Sequence, residues 1–71
     1  MPLIHVSMAE GRTPAQKRAL LQGITRATEE ALGVPLASIR VWITEFPPDQ
    51  FIAGGEIMAD RPTGQERRPA P

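Results

Sequence analysis

A strand–helix–strand pattern occupies most of the chain and limits the folds open to it. Residues 3–8 alternate apolar and polar side chains, with Ile4, Val6 and Met8 on one face, which is typical of a half-buried strand. Residues 39–45 alternate in the same way and predict a second strand. Two strands joined by a helix pair in parallel with a right-handed crossover, so we predict a single β-α-β unit of the α/β (α+β) class.

The segment between the strands carries start and stop signals for a helix. Thr13 suits the N-cap, Pro14 suits the first helical position, and Gln16 can complete a capping box. Gly33 suits the residue that ends the helix, and Pro35 follows it. The helix is amphipathic. Its apolar stripe is Leu20, Ile24, Ala27 and Ala31, and its predicted solvent face is Lys17, Arg18, Gln22, Arg26, Glu29 and Glu30.

The rest of the chain predicts a small addition to the unit and a tail. The glycine pair at 54–55 interrupts residues 51–58 and predicts a turn with a short strand or hairpin. From Asp60 onward the sequence is rich in proline, arginine and polar residues. We therefore predict one domain over residues 1–60 and a Pro/Arg-rich tail over residues 61–71 that is mobile or docked on a partner.

A chain of 71 residues cannot readily stabilise two strands and one helix by itself. In domains of this size the gain from apolar burial and the loss of conformational entropy nearly cancel, and disulfides, a metal or partner subunits commonly make up the difference. The sequence has no cysteine and one histidine, so we expect no disulfide, metal site or other cofactor. Sheet edges and one sheet face would stay bare, which predicts self-association through shared sheets.

Charge and hydropathy argue against several classes of function. Lys plus Arg and Asp plus Glu number 8 each, whereas a general nucleic-acid-binding chain carries a basic excess. No apolar run approaches the roughly 20 residues that span a bilayer. The N-terminus lacks the charged and apolar regions of a signal peptide. These features indicate a cytoplasmic protein with neither a nucleic acid nor a membrane as its partner.

Pro2 is the residue best suited to acid–base chemistry. Methionine before proline is usually removed, which leaves a secondary amine at the start of the first strand. An α-amino group titrates at about pH 8, and burial and nearby cations favour its neutral, basic form. Arg40 opens the second strand at the same end of a parallel sheet, where a guanidinium can bind a carboxylate. This pair suits proton abstraction next to a carbonyl group.

Five short motifs follow one another along the chain. They are Pro2 at the mature terminus, Glu10-Gly11-Arg12, Ser38-Ile39-Arg40-Val41, Thr44-Glu45, and Phe51-Ile52-Ala53-Gly54-Gly55-Glu56. Their joint order and spacing, over residues 2–58 without apparent gaps, resembles the 4-oxalocrotonate tautomerase family. The resemblance implies a β-α-β subunit, dimers that share a four-stranded sheet, usually a hexamer, and active sites built from neighbouring subunits.

The resemblance also implies roles for four residues. Pro2 matches the general base that moves a proton between oxygen and carbon of an enol or dienol of a 2-oxo acid. Arg40 matches the arginine that binds the substrate carboxylate and carbonyl oxygen, and Arg12 matches the arginine that holds the distal carboxylate. Phe51 matches the apolar wall that keeps the site dry. The implied protein is a homohexameric keto–enol tautomerase acting on a small carboxylate, with aromatic-compound degradation as the expected setting.

Two other hypotheses stay open at the level of sequence. The first is a catalytically inactive assembly subunit of the same fold, for example in a mixed hexamer; a retained Met1 would favour it, because Met1 acylates the Pro2 nitrogen. The second is a biosynthetic relative acting on a different carboxylate, since Trp42 replaces the aliphatic residue expected after Arg40-Val41. We expect Trp42 to pack in a subunit interface and His5 to be structural.

Overall fold

The computed structural model describes residues 1–60, and the predicted tail over residues 61–71 lies outside them. The elements are strand β1 (Leu3–Ala9), helix α1 (Pro14–Leu32), strand β2 (Arg40–Phe46), and the short strands β3 (Ile52–Ala53) and β4 (Glu56–Ile57), with 3₁₀ turns at Leu36–Ser38, Pro48–Gln50 and Met58–Asp60. β1 and β2 are parallel, and β3 and β4 form an antiparallel hairpin. These elements confirm the predicted β-α-β unit with a short C-terminal hairpin.

Backbone hydrogen bonds close the parallel pair at both ends. At one end the Arg40 N–H donates to the Pro2 carbonyl at 3.0 Å. At the other end the Glu10 N–H donates to the Phe46 carbonyl at 2.9 Å. We call these the leading end (Pro2 and Arg40) and the trailing end (Glu10 and Phe46) of the sheet.

β2 begins at Arg40, one residue later than the sequence pattern predicts, and it ends at Phe46. Ile39 instead caps the preceding 3₁₀ turn, because its N–H donates to the Leu36 carbonyl at 3.1 Å. Its side chain is 8% exposed and is the one buried apolar side chain among residues 1–60. Residues 1–60 of a single chain therefore have almost no interior of their own.

The helix begins and ends where its sequence signals predict. The Thr13 hydroxyl accepts from the backbone N–H of Gln16 at 3.1 Å, and the side-chain oxygen Oε1 of Gln16 accepts from the backbone N–H of Thr13 at 2.9 Å. Gly33 takes a left-handed conformation with φ 66° and donates its N–H to the Glu29 carbonyl at 2.9 Å. No helix in the described part of the chain is long and apolar enough to cross a membrane.

The face of the helix that packs on the sheet overlaps its predicted apolar stripe only in part, since Ile24 belongs to both. The half-buried positions are Lys17, Leu21, Ile24, Thr25, Thr28 and Glu29, so the prediction that Lys17 and Glu29 face solvent is wrong. Leu20, Ala27 and Ala31 of the apolar stripe are exposed instead. On this half-buried face Lys17 reaches Glu45 on β2, with 3.1 Å between ammonium nitrogen and carboxylate oxygen. Much of the apolar stripe is thus left uncovered in a single chain.

The sheet face opposite the helix is also bare. Leu3 is 64% exposed and Trp42 is 46% exposed on this face. The rings of His5 and Trp42 stack with centroids 5.1 Å apart, and His5 Nε2 hydrogen bonds to the Thr44 hydroxyl at 2.8 Å. Aromatic and apolar side chains arranged in this way are suited to contact with another protein chain.

We predict that Thr13→Ala lowers the free energy of unfolding by about 1 kcal/mol, because it removes the N-cap acceptor of α1. Thr13→Ser is the matched control, since its hydroxyl can accept the same hydrogen bond. Urea denaturation at one fixed protein concentration measures both variants, because assembly couples stability to concentration. Equal losses in the two variants would contradict the capping role.

Candidate active site

Pro2 and Arg40 are adjacent at the leading end of the sheet, as the parallel register requires. Their backbones are joined by the 3.0 Å hydrogen bond that opens the ladder. The Arg40 guanidinium folds back over the 3₁₀ turn, where Nη1 donates to the Ala37 carbonyl at 2.6 Å and to the Ile39 carbonyl at 3.3 Å. The turn thus holds a permanent positive charge close to the start of β1.

Pro2 opens onto an apolar groove on the helix side of the sheet. The groove has a volume of about 380 Å³. Its other lining residues are Ile4, Ile24, Ala27, Thr28, Ala31 and Leu32, none of which carries a charge. An apolar surrounding of this kind disfavours the protonated form of an amine relative to water.

Arg12 and Phe51 lie near the trailing end. Arg12 follows the end of β1 after Gly11, whose φ of 128° is a conformation that favours glycine. Its half-buried side chain lines a cavity of about 200 Å³. Phe51 stacks on Phe46 with ring centroids 5.1 Å apart, and its carbonyl accepts from the Met58 N–H at 2.8 Å. The hairpin therefore fixes an aromatic surface beside the end of β2.

One chain does not bring the four candidate residues together. Pro2 and Arg40 lie at one end of β1 and β2, whereas Arg12 and Phe51 lie at the other. β1 contains seven residues, and at roughly 3.3 Å per residue it holds the two ends about 20 Å or more apart. A small substrate cannot span that distance within one subunit.

Metal chemistry has no visible site in the part of the chain that the structure describes. Among residues 1–60, no group of three or more His, Asp or Glu side chains is placed to hold a metal ion.

Comparison with known proteins identifies the family. The family model described as "Tautomerase enzyme" matches residues 2–61. A 2-hydroxymuconate tautomerase of Pseudomonas putida is 47% identical over 55 residues, which cover 76% of this chain and 87% of that relative. The chain belongs to the tautomerase family.

Solved structures relate this tautomerase to the 4-oxalocrotonate branch that the sequence motifs predict. A 4-oxalocrotonate tautomerase homologue of the tomaymycin biosynthetic pathway is 42% identical with a TM-score of 0.81, and the match covers 84% of this chain and 92% of that one. A heterohexameric 4-oxalocrotonate tautomerase from Chloroflexus aurantiacus is 40% identical with a TM-score of 0.81, covering 84% and 97%. These relatives confirm the predicted fold class and a keto–enol tautomerase activity.

Sequence reasoning missed two charged residues of this tautomerase. Lys17 lines the Arg12 cavity, and Glu45 holds its ammonium group at 3.1 Å. The sequence contains a signal for this pair, because Glu45 continues the helix-facing alternation of Val41 and Ile43. A carboxylate at a half-buried strand position requires a polar or charged partner.

Proposed function

We propose that this tautomerase interconverts the enol or dienol and keto forms of a 2-oxo acid, with the amine of mature Pro2 as general base. The observation that carries the proposal is the pairing of Pro2 with Arg40 at the leading end, through a 3.0 Å backbone hydrogen bond. The identity of 47% to a 2-hydroxymuconate tautomerase supports a dienol substrate.

The proposed reaction needs one base and one group that stabilises negative charge. Removal of Met1 leaves a secondary amine, and the uncharged groove around Pro2 favours its neutral form. The amine takes the hydroxyl proton of the enol, and the resulting ammonium gives a proton to carbon to form the ketone. The Arg40 guanidinium holds the neighbouring carboxylate and the oxygen on which enolate charge develops.

We assign the trailing end of a neighbouring chain to the other half of the site. Arg12 of that chain binds the distal carboxylate, and Phe51 forms the apolar wall that excludes water. Two features support this assembly: the two ends of one chain are about 20 Å or more apart, and β1 has β2 as its neighbour on one side only. A homohexamer is the proposed assembly, and the mixed hexamer of the Chloroflexus aurantiacus relative makes a hetero-oligomer the second candidate.

A biosynthetic substrate is the second candidate for the reaction itself. It is favoured by the identity of 42% to the homologue of the tomaymycin pathway. Steady-state kinetics with 2-hydroxymuconate and with phenylenolpyruvate distinguish a dicarboxylate-specific enzyme from one that prefers a ring-bearing monocarboxylate.

We predict that Arg40→Ala lowers kcat/KM for ketonisation of 2-hydroxymuconate by about 100-fold or more. The loss of a guanidinium that binds the developing enolate costs roughly 3 kcal/mol of transition-state stabilisation. Arg26→Ala is the matched control, because it removes the same charge from an exposed position on α1. Similar losses in both variants would contradict the assignment of Arg40.

We predict that mixing Arg40→Ala chains with Arg12→Ala chains restores activity that neither variant has alone. In a shared site, the intact leading end of one variant meets the intact trailing end of the other. The two variants are unfolded together in urea, refolded as a mixture and assayed, and each variant refolded alone is the control. A mixture as inactive as its components, yet shown by mass spectrometry to contain mixed oligomers, would place the whole site in one chain.

We predict that kcat/KM rises with pH through one ionisation that lies below the ordinary α-amino range. The neutral amine is the active form, so activity is lost as pH falls through the pKa of the Pro2 amine, which the two guanidinium groups and the apolar walls lower. Pro2→Ala retains part of the activity because a primary amine remains. Full activity in protein that retains Met1 on every chain, as measured by intact mass, would exclude Pro2 as the base. The same result would also exclude the hypothesis of an inactive subunit.

A further inference from the structure

Lys17 and Glu45 form an ion pair that ties the start of α1 to the trailing end of β2. The Lys17 ammonium donates to Glu45 Oε1 at 3.1 Å. Their side chains are only 29% and 26% exposed, so solvent and salt screen this pair less than they screen a fully exposed one. A change in the charge of either residue therefore changes the electrostatic potential at nearby groups.

The same lysine lines the cavity that contains Arg12. This cavity of about 200 Å³ is lined by Met8, Arg12, Gln16, Lys17 and Leu20. Arg12 and Lys17 are its charged lining residues in the described part of the chain, and both are positive. Glu45 is not among the lining residues but contacts one of them, Lys17. The three residues Arg12, Lys17 and Glu45 together carry one formal positive charge.

We infer that Lys17, with its charge partly offset by Glu45, sets the preference of this tautomerase for substrates that carry a second carboxylate. The inference rests on the proposed function, in which Arg12 receives the distal carboxylate. A second cation in the same cavity strengthens the attraction for that group, and the carboxylate of Glu45 limits it. Met8 and Leu20 form apolar walls of the same cavity. These walls suit the hydrocarbon part of the substrate next to its distal carboxylate.

The charge of this cluster can be changed in both directions by near-isosteric substitutions. Lys17→Met removes one positive charge, so the formal charge of the cluster of Arg12, Lys17 and Glu45 falls from one to zero. Glu45→Gln raises it to two, and the double variant returns it to one. Arg18→Met is the matched control, since Arg18 is the next residue of α1 and lines a different surface groove.

The readout is the selectivity for a dicarboxylate over a monocarboxylate of the same length. Isothermal titration with adipate and with hexanoate measures binding, and kinetics with 2-hydroxymuconate and phenylenolpyruvate measure turnover. We expect the dicarboxylate preference to fall by about 10-fold in Lys17→Met and to rise in Glu45→Gln, as expected for one unit charge near a partly screened site. The double variant returns close to the unaltered protein, and Arg18→Met does not differ from it.

The double variant separates the effect of charge from a structural role of the ion pair. If the pair only stabilises the fold, the double variant stays as impaired as the single variants, and this result would overturn the inference. Equal changes for adipate and hexanoate in Lys17→Met would overturn it as well. Dicarboxylate binding that depends on Lys17 in a protein that converts neither enol would support the inference and contradict the proposed function.

Discussion

The parallel register of β1 and β2 is the constraint on which the rest of the molecule depends. The hydrogen bond from the Arg40 N–H to the Pro2 carbonyl starts the ladder, and the bond from Glu10 to Phe46 closes it. Because both strands run in the same direction, the residues that begin them share one end of the sheet. The register therefore pairs Pro2 with Arg40 and places Arg12 at the opposite end of the sheet. The proposed function depends on this division into a leading and a trailing end.

The same short unit supports the proposal that a single chain is an incomplete enzyme. Ile39 is the one buried apolar side chain among residues 1–60, and large apolar side chains such as Leu3, Trp42 and Ile52 stay exposed. A chain that can bury so little gains stability by covering these surfaces with partners. The requirement for stability and the proposed requirement for a complete site thus point to the same solution. In the proposed assembly, neighbouring chains supply both the missing core and the missing half of the catalytic machinery.

The trailing end contains the positive charges that, in the proposed function, bind the distal carboxylate and so orient the substrate. Lys17 adds a second positive charge to the Arg12 cavity, and Glu45 holds that charge in place at 3.1 Å. The leading end, in contrast, combines Arg40 with an uncharged groove at Pro2. An amine in an apolar groove is suited to proton transfer, and a cation-lined cavity is suited to carboxylate recognition. In the proposed function, the leading end therefore performs proton transfer and the trailing end binds the distal carboxylate.

Local features of this protein and the parallel pairing of its two long strands were predictable from its sequence, whereas the packing of side chains between the helix and the sheet was not. The capping box of Thr13 and Gln16 and the left-handed Gly33 follow from hydrogen bonds within one turn, so residue identity alone determines them. Ile39 fits the alternation of β2 but caps the preceding 3₁₀ turn, because its N–H donates to the Leu36 carbonyl.

Pro2, Arg12, Arg40 and Phe51 were named from motifs, yet the length of β1, not the motifs, puts them in two groups. The exact face that the helix packs on the sheet, and the choice of Lys17 as the partner of Glu45 across 28 residues, were decided only by the tertiary structure. The alternation of β2 indicates that the half-buried Glu45 needs a polar or charged partner, but which residue supplies it depends on how the helix and the sheet pack against each other.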